Sequence, residues 1–137
     1  MVVLSFAAMY VLMYAMVDVF DNVYSNLNQV YMAGLMTGAM VVIEMLVMGS
    51  MYSRKVKRAA IIGGIIASIL FYFLIRGQIG ISDEGFLRSM IPHHASALLM
   101  CQKANLSDPE VKKLCQDILS SQKEQIDWMK AKLGSQK

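Results

Sequence analysis

The pentapeptide Met90-Ile91-Pro92-His93-His94 places a thioether three and four residues before two imidazoles. Methionine sulfur beside imidazole nitrogen is a donor set that suits Cu(I) better than hard cations such as Mg2+ or Ca2+. Met100 follows in the same segment and Met129 lies in the next. Met90, His93, His94, Met100 and Met129 are therefore the candidate metal ligands. On a helix, Met90, His93 and Met100 fall near one line, and His94 sits about 100° round from His93. The plainer reading is a core histidine. A buried imidazole must be hydrogen-bonded to offset its desolvation, and Gln122 on the facing segment is a suitable partner.

Two helices must carry these residues. Ser82 and Asp83 offer an N-cap for a first helix running to about Ala104, and Asn105-Leu106 makes a turn. Ser107-x-x-Glu110 matches a capping box with Pro109 in the first turn, so a second helix begins there. It ends near Leu133, with Gly134 as its stop. Phe86, Met90, His93, Ala97, Met100 and Ala104 form one stripe; Val111, Cys115, Ile118, Gln122, Gln125, Met129 and Leu133 form the other, with Ile126 at its edge. Pro92 removes a helical hydrogen bond and is expected to kink the first helix. Cys101 and Cys115 are free to be buried, bridged or ligating, and the register sets them about one turn out of opposition.

The remainder of the chain reads as membrane. Residues 1–81 hold eight charged side chains and residues 82–137 hold fifteen. Apolar runs at about Val2–Phe20, Gln29–Tyr52 and Ala59–Ile75 span about 28, 36 and 26 Å as helices, against roughly 30 Å of hydrocarbon. No basic region precedes the first run, so it reads as a retained span. Arg54, Lys55, Lys57 and Arg58 mark the loop after the second span as cytoplasmic, and the Asp18–Asp21 loop as external. The expected division is a three-helix transmembrane region over 1–76 and an extracytoplasmic helical hairpin over 82–137. The fold class is all-α.

Within the second run, Met32, Met36, Met40 and Glu44 recur every four residues, a stripe that slowly winds around the helix. It is either membrane filler or a thioether ladder for cations, assisted by Met9, Met13 and Met16. Glu44, an acid inside a span, is a functional candidate or a polar contact to a neighbouring helix. Gly34 and Gly38 form a GxxxG seam on the opposite face, suited to helix packing and to an oligomer contact.

The stretch Phe86–Met100, with its Met-x-Pro-His-His core, and the stretch Gln122-Lys-Glu-Gln-Ile-Asp-Trp-Met129 together resemble the family named domain of unknown function 305. The Met-rich spans resemble its membrane-anchored members. The resemblance implies a ferritin-like helical half-bundle and, for some members, periplasmic copper binding through Met90, His93, His94, Met100 and Met129. Gln125 stands where the family commonly has glutamate. Members with two such units close a four-helix bundle internally. A lone hairpin of about 50 residues has too small a core, so this chain is expected to pair as a homo-oligomer, a dimer first, completing the bundle.

The leading expectation is a copper-binding protein of a bacterial inner (plasma) membrane. Its N-terminus would be cytoplasmic and its C-terminal domain periplasmic, where it sequesters Cu(I) or relays it to a copper-donor or acceptor protein. The alternatives are an oligomeric copper or other cation transporter, with Met32, Met36, Met40 and Glu44 lining a path, and an assembly module without metal. No nucleophile–base pair or phosphate-binding loop suggests an enzyme. The net charge of +3 gives no nucleic-acid signature.

Overall fold

A computed structural model describes residues 1–135. It is all-helical among those residues, with five α-helices: α1 Val2–Leu12, α2 Leu27–Val47, α3 Arg54–Gly77, α4 Asp83–Lys103 and α5 Pro109–Gly134. The chain divides into two compact units. One comprises Met1–Met13 with Leu27–Gly80; the other comprises Tyr14–Asn26 with the residues from Ile81 onward.

In the first unit, α2 and α3 run antiparallel along a glycine seam. A Cβ on Gly34 would meet the Phe71 ring at 2.5 Å, and one on Gly38 would meet the Gly64 carbonyl at 3.0 Å. Reciprocally, a Cβ on Gly64 would lie 2.9 Å from the Gly38 carbonyl. The GxxxG pair is thus engaged inside the chain on α3. Hydrogen bonds between Asn28 and Gln78, and from the Tyr31 hydroxyl to the Ile79 carbonyl, fasten the start of α2 to the end of α3. On its other side α2 packs against α1, where the Thr37 hydroxyl lies 3.6 Å from Met9 sulfur.

Three expectations change here. The apolar run at Val2–Phe20 is not one long helix: α1 stops at Leu12, followed by a 3-10 turn over Met13–Met16. The polar groups beyond it make their own local bonds. Asp18 accepts from the Val19 amide and the Asn22 side chain, while the Tyr14 hydroxyl donates to the Tyr24 carbonyl. Arg54, Lys55, Lys57 and Arg58 lie not in a loop but in the first turns of α3, capped by the Ser53 hydroxyl. This lengthens the third apolar helix to 24 residues. Finally, α2 ends at Val47, which puts Glu44 in its last turn, not near the middle of a span. If α2 crosses a bilayer, an acid at its end reaches the headgroup region and loses much of its cost.

In the second unit, α4 packs against α5 around Leu87, Ile91, Ala95, Leu98, Ile126 and Met129, with Val17 and Tyr24 from the α1–α2 connection packed against the same core. Ser82 caps α4 as expected. At α5 the cap is one residue later than the capping box implies. Asp108 Oδ1 accepts from the Glu110 and Val111 amides, and Pro109 takes the first helical position, where its missing N–H costs nothing. A disulfide joins Cys101 to Cys115, with Cα atoms 5.3 Å apart. The two cysteines are therefore in register across the connection between helices. Closing a loop of 14 residues removes unfolded-state freedom equivalent to about 3 kcal/mol. Reduction, or the Cys101→Ser/Cys115→Ser pair, is expected to lower the stability of this unit by about that amount. Chemical denaturation followed through Trp128, the only tryptophan, measures it.

Candidate metal site

The buried face of α4 is Leu87, Ile91, Ala95 and Leu98, flanked by Pro92 and His94. This face lies about 120° round the helix from the stripe of Phe86, Met90, His93, Ala97 and Met100 that the chemistry suggested. The difference has a simple cause. Four aliphatic side chains gain more by burial than a row interrupted by imidazole and thioether, which carry polar groups. His94, rather than His93, therefore turns inward; it is 9% exposed, whereas His93 lies at the surface. Their rings stand 5.9 Å apart, tilted by 63°. The helix runs unbroken through Pro92 from Asp83 to Lys103.

His94 is held at both ring nitrogens. Nδ1 lies 2.9 Å from the Met90 carbonyl, which can only accept, so this nitrogen carries a proton and donates. Nε2 lies 2.8 Å from the side-chain amide oxygen of Gln125 on α5. A half-turn of that amide presents its N–H instead, and a neutral ring then accepts at Nε2. Fixing Nδ1–H against a backbone carbonyl is the usual way of committing a metal-binding histidine to its Nε2 lone pair.

An open cleft of about 520 Å³ surrounds this ring, lined by Met90, His94, Gln125 and Met129, with Phe86, Glu124 and Trp128 also lining it. Three of the five sequence-derived ligand candidates thus share one cleft. Met90 is half-buried and Met129 is 5% exposed. The other two, His93 and Met100, do not line it, and Met100 is half-exposed. Among the described residues, no three His, Cys, Asp or Glu side chains converge on a point. The soft donors at this cleft are one imidazole and two thioethers, a set that suits a soft monovalent ion, and Glu124 and Gln125 line it as well with oxygen donors. The cysteines, bridged to each other, offer no thiolate.

Met32, Met36 and Met40 lie on the exposed side of α2, away from Gly34 and Gly38. Glu44 is half-buried and in no ion pair given by the described residues. Sequence reasoning missed two features. It chose Gln122 as the bonding partner of a core histidine, whereas Gln125 fills that place. It also did not expect residues 14–26 to pack with the C-terminal helices. The signal was present in both cases: Gln125 is one helical turn before Met129, and residues 14–26 hold tyrosines and asparagines foreign to a membrane span.

The sequence profile of the domain of unknown function DUF305 matches residues 80–136. The uncharacterized protein L153 of Acanthamoeba polyphaga mimivirus is 33% identical over 140 residues, an alignment covering 100% of this chain and 91% of the relative. It extends through the apolar helices as well as the α4–α5 pair. No solved structure matches the chain significantly. The chain belongs to the DUF305 family, whose domain occupies its C-terminal unit.

Proposed function

We propose that this is a membrane-anchored protein that holds or relays Cu(I) on the extracytoplasmic side through His94, Met90 and Met129. The carrying observation is the clamp on His94: Nδ1 is fixed to a carbonyl 2.9 Å away, and Nε2 is bonded to Gln125 at a cleft that two thioethers line, so an ion bound there takes the place of that amide. The ion is cargo, and the chain's part is to offer a preset soft pocket closed by a neutral amide. His93 and Met100, exposed on the outer face of α4, serve entry or hand-over to a partner protein.

The membrane side of the proposal rests on α2 and α3, both long and apolar enough to cross a bilayer, and on the apolar stretch Val2–Met16 before them. The Asp18–Asp21 loop and the residues from Ile81 onward, expected on the same side of the membrane, pack into one unit. The Cys101–Cys115 bridge favours an oxidising compartment for that unit, such as a bacterial periplasm. In such a compartment thioether and imidazole are the durable soft ligands. The basic first turns of α3 then lie in the cytoplasm.

Cu(I) titration of the full chain in detergent micelles, against a competing chromogenic chelator, tests the reading. One tightly held ion per chain is expected; no competition with the chelator would end it. Trp128 and Phe86, 62% and 50% exposed at the cleft, also suit a second copy that completes a four-helix bundle. Trp128→Glu is expected to shift the protein from dimer to monomer in sedimentation, and an unchanged mass would remove the dimer from the proposal.

The exposed row of Met32, Met36 and Met40 favours a second reading, in which several copies arrange these residues around a cation path. Uptake of copper into proteoliposomes by the wild type, reduced in Glu44→Gln, would select it over storage.

A further inference from the structure

An apolar groove of about 520 Å³ runs along α3 in the membrane unit, floored by Gly38, Gly63, Gly64 and Ala67 and walled by Phe6 and Phe71. Gly64 is small because α2 packs there, but Gly63 is not. A Cβ built on Gly63 meets no atom within 4 Å. Glycine is a poor helix former, and no contact inside the chain calls for it at this position. What Gly63 preserves is the space. Along α3 the groove follows the residues from Ala60 to Phe71, about 16 Å of helix. That is close to half of the roughly 30 Å hydrocarbon layer, the depth of one leaflet.

The groove begins at Ala60, within about one turn of the basic start of α3. Lys57 falls on the α2-facing line of Gly64 and Phe71, beside the groove end and not among its lining residues. Its side chain lies over Gly49, at the turn between α2 and α3. Arg54, Lys55 and Arg58 surround it, and none of the four is in an ion pair among the described residues. An acyl-chain-sized slot that opens under uncompensated cations is complementary to one class of molecule. Basic pockets between membrane helices take anionic lipid headgroups.

We propose that this groove binds one anionic phospholipid of the leaflet at the basic end. One acyl chain lies over Gly63 and Ala67, and the phosphate pairs with Lys57 and the flanking arginines. The inference rests on the membrane reading of α2 and α3 and is independent of the metal reading.

The test is native mass spectrometry of the full chain in maltoside micelles with equimolar palmitoyl-oleoyl phosphatidylglycerol and phosphatidylcholine. One retained phosphatidylglycerol per chain is expected, favoured at least about fivefold, the effect of roughly one headgroup–cation attraction. Lys57→Gln with Arg58→Gln is expected to erase the preference between the two lipids. Gly63→Leu, which fills the groove without touching the α2 seam, is expected to remove retention with helicity unchanged. Equal retention of both lipids by the wild type, or full retention in Gly63→Leu, overturns the proposal. A lower dimer fraction in Gly63→Leu with lipid retention intact also overturns it, because the groove then seats a second copy's helix. Alkaline carbonate extraction of native membranes separates the failures: release of the chain refutes the membrane reading itself, whereas a retained chain without lipid preference refutes only this site.

Discussion

His94→Ala is expected to weaken Cu(I) binding by more than about 100-fold, while His93→Ala changes it by less than about threefold. The asymmetry follows from burial and bonding, because the sequence treats the two residues alike. Only His94 lines the cleft with Met90 and Met129, and only its ring is oriented by a second bond. Loss of a supporting partner to a metal-bound histidine typically costs 10- to 100-fold, so loss of the ligand itself should exceed that range. His94→Ala also carries a stability cost of about 1–3 kcal/mol, because a buried ring and its bond to Gln125 disappear. That cost is small enough for α4 and α5 to remain folded, and the Cys101–Cys115 bridge helps hold them together. Competition titration with circular dichroism on each variant checks the outcome. Equal losses for the two histidines, or loss only in His93→Ala, would move the site to the outer face of α4.

The residue types gathered in this cleft were legible in the sequence, but their arrangement was not. Methionine beside histidine is what suggests a soft metal, and Ser82 and Pro109 mark the starts of the two helices that carry them. What the sequence hides is which face of α4 is buried. Two stripes overlap on that helix, one aliphatic and one sulfur-rich, about 120° apart. Periodicity alone does not rank them, because ranking depends on what α5 presents. Ile126 and Met129 present an aliphatic surface, so Leu87, Ile91 and Leu98 turn toward it and carry His94 inward. Gln125 becomes its partner only after that rotation.

The apolar helices show the same pattern. The apolar runs at α2 and α3 were plain, yet their ends were misplaced at Arg54–Arg58 and at Glu44, because charged residues were read as loop or as buried. Basic side chains with long stems extend a helix past the hydrocarbon without breaking it. The shortness of α1 was least visible. Val2–Phe20 is apolar enough for a span, and only the local bonds of Asp18, Asn22 and Tyr14 draw its later residues away.

Gly64→Leu is expected to destabilise the α2–α3 pair by about 3 kcal/mol or more, while Gly63→Leu, one residue earlier, changes stability by less than about 0.5 kcal/mol. The contrast isolates packing from helix propensity and hydrophobicity, which change identically in both variants. At Gly64 the first added carbon would lie 2.9 Å from the Gly38 carbonyl oxygen and 2.9 Å from a Val42 methyl. A carbonyl fixed in a helix cannot rotate aside as a side chain can, so the two helices must separate. Separation then loosens every contact along the seam, including Gly34 under the Phe71 ring, in a medium where close van der Waals packing supplies much of the association. Hydrogen bonds at the far end, from Tyr31 to the Ile79 carbonyl and between Asn28 and Gln78, are exposed and too few to restore the register. Steric-trap unfolding in bicelles measures both variants on one scale. Equal stabilities would mean that α2 and α3 do not meet at this seam in the membrane, and the glycines there would then need another explanation.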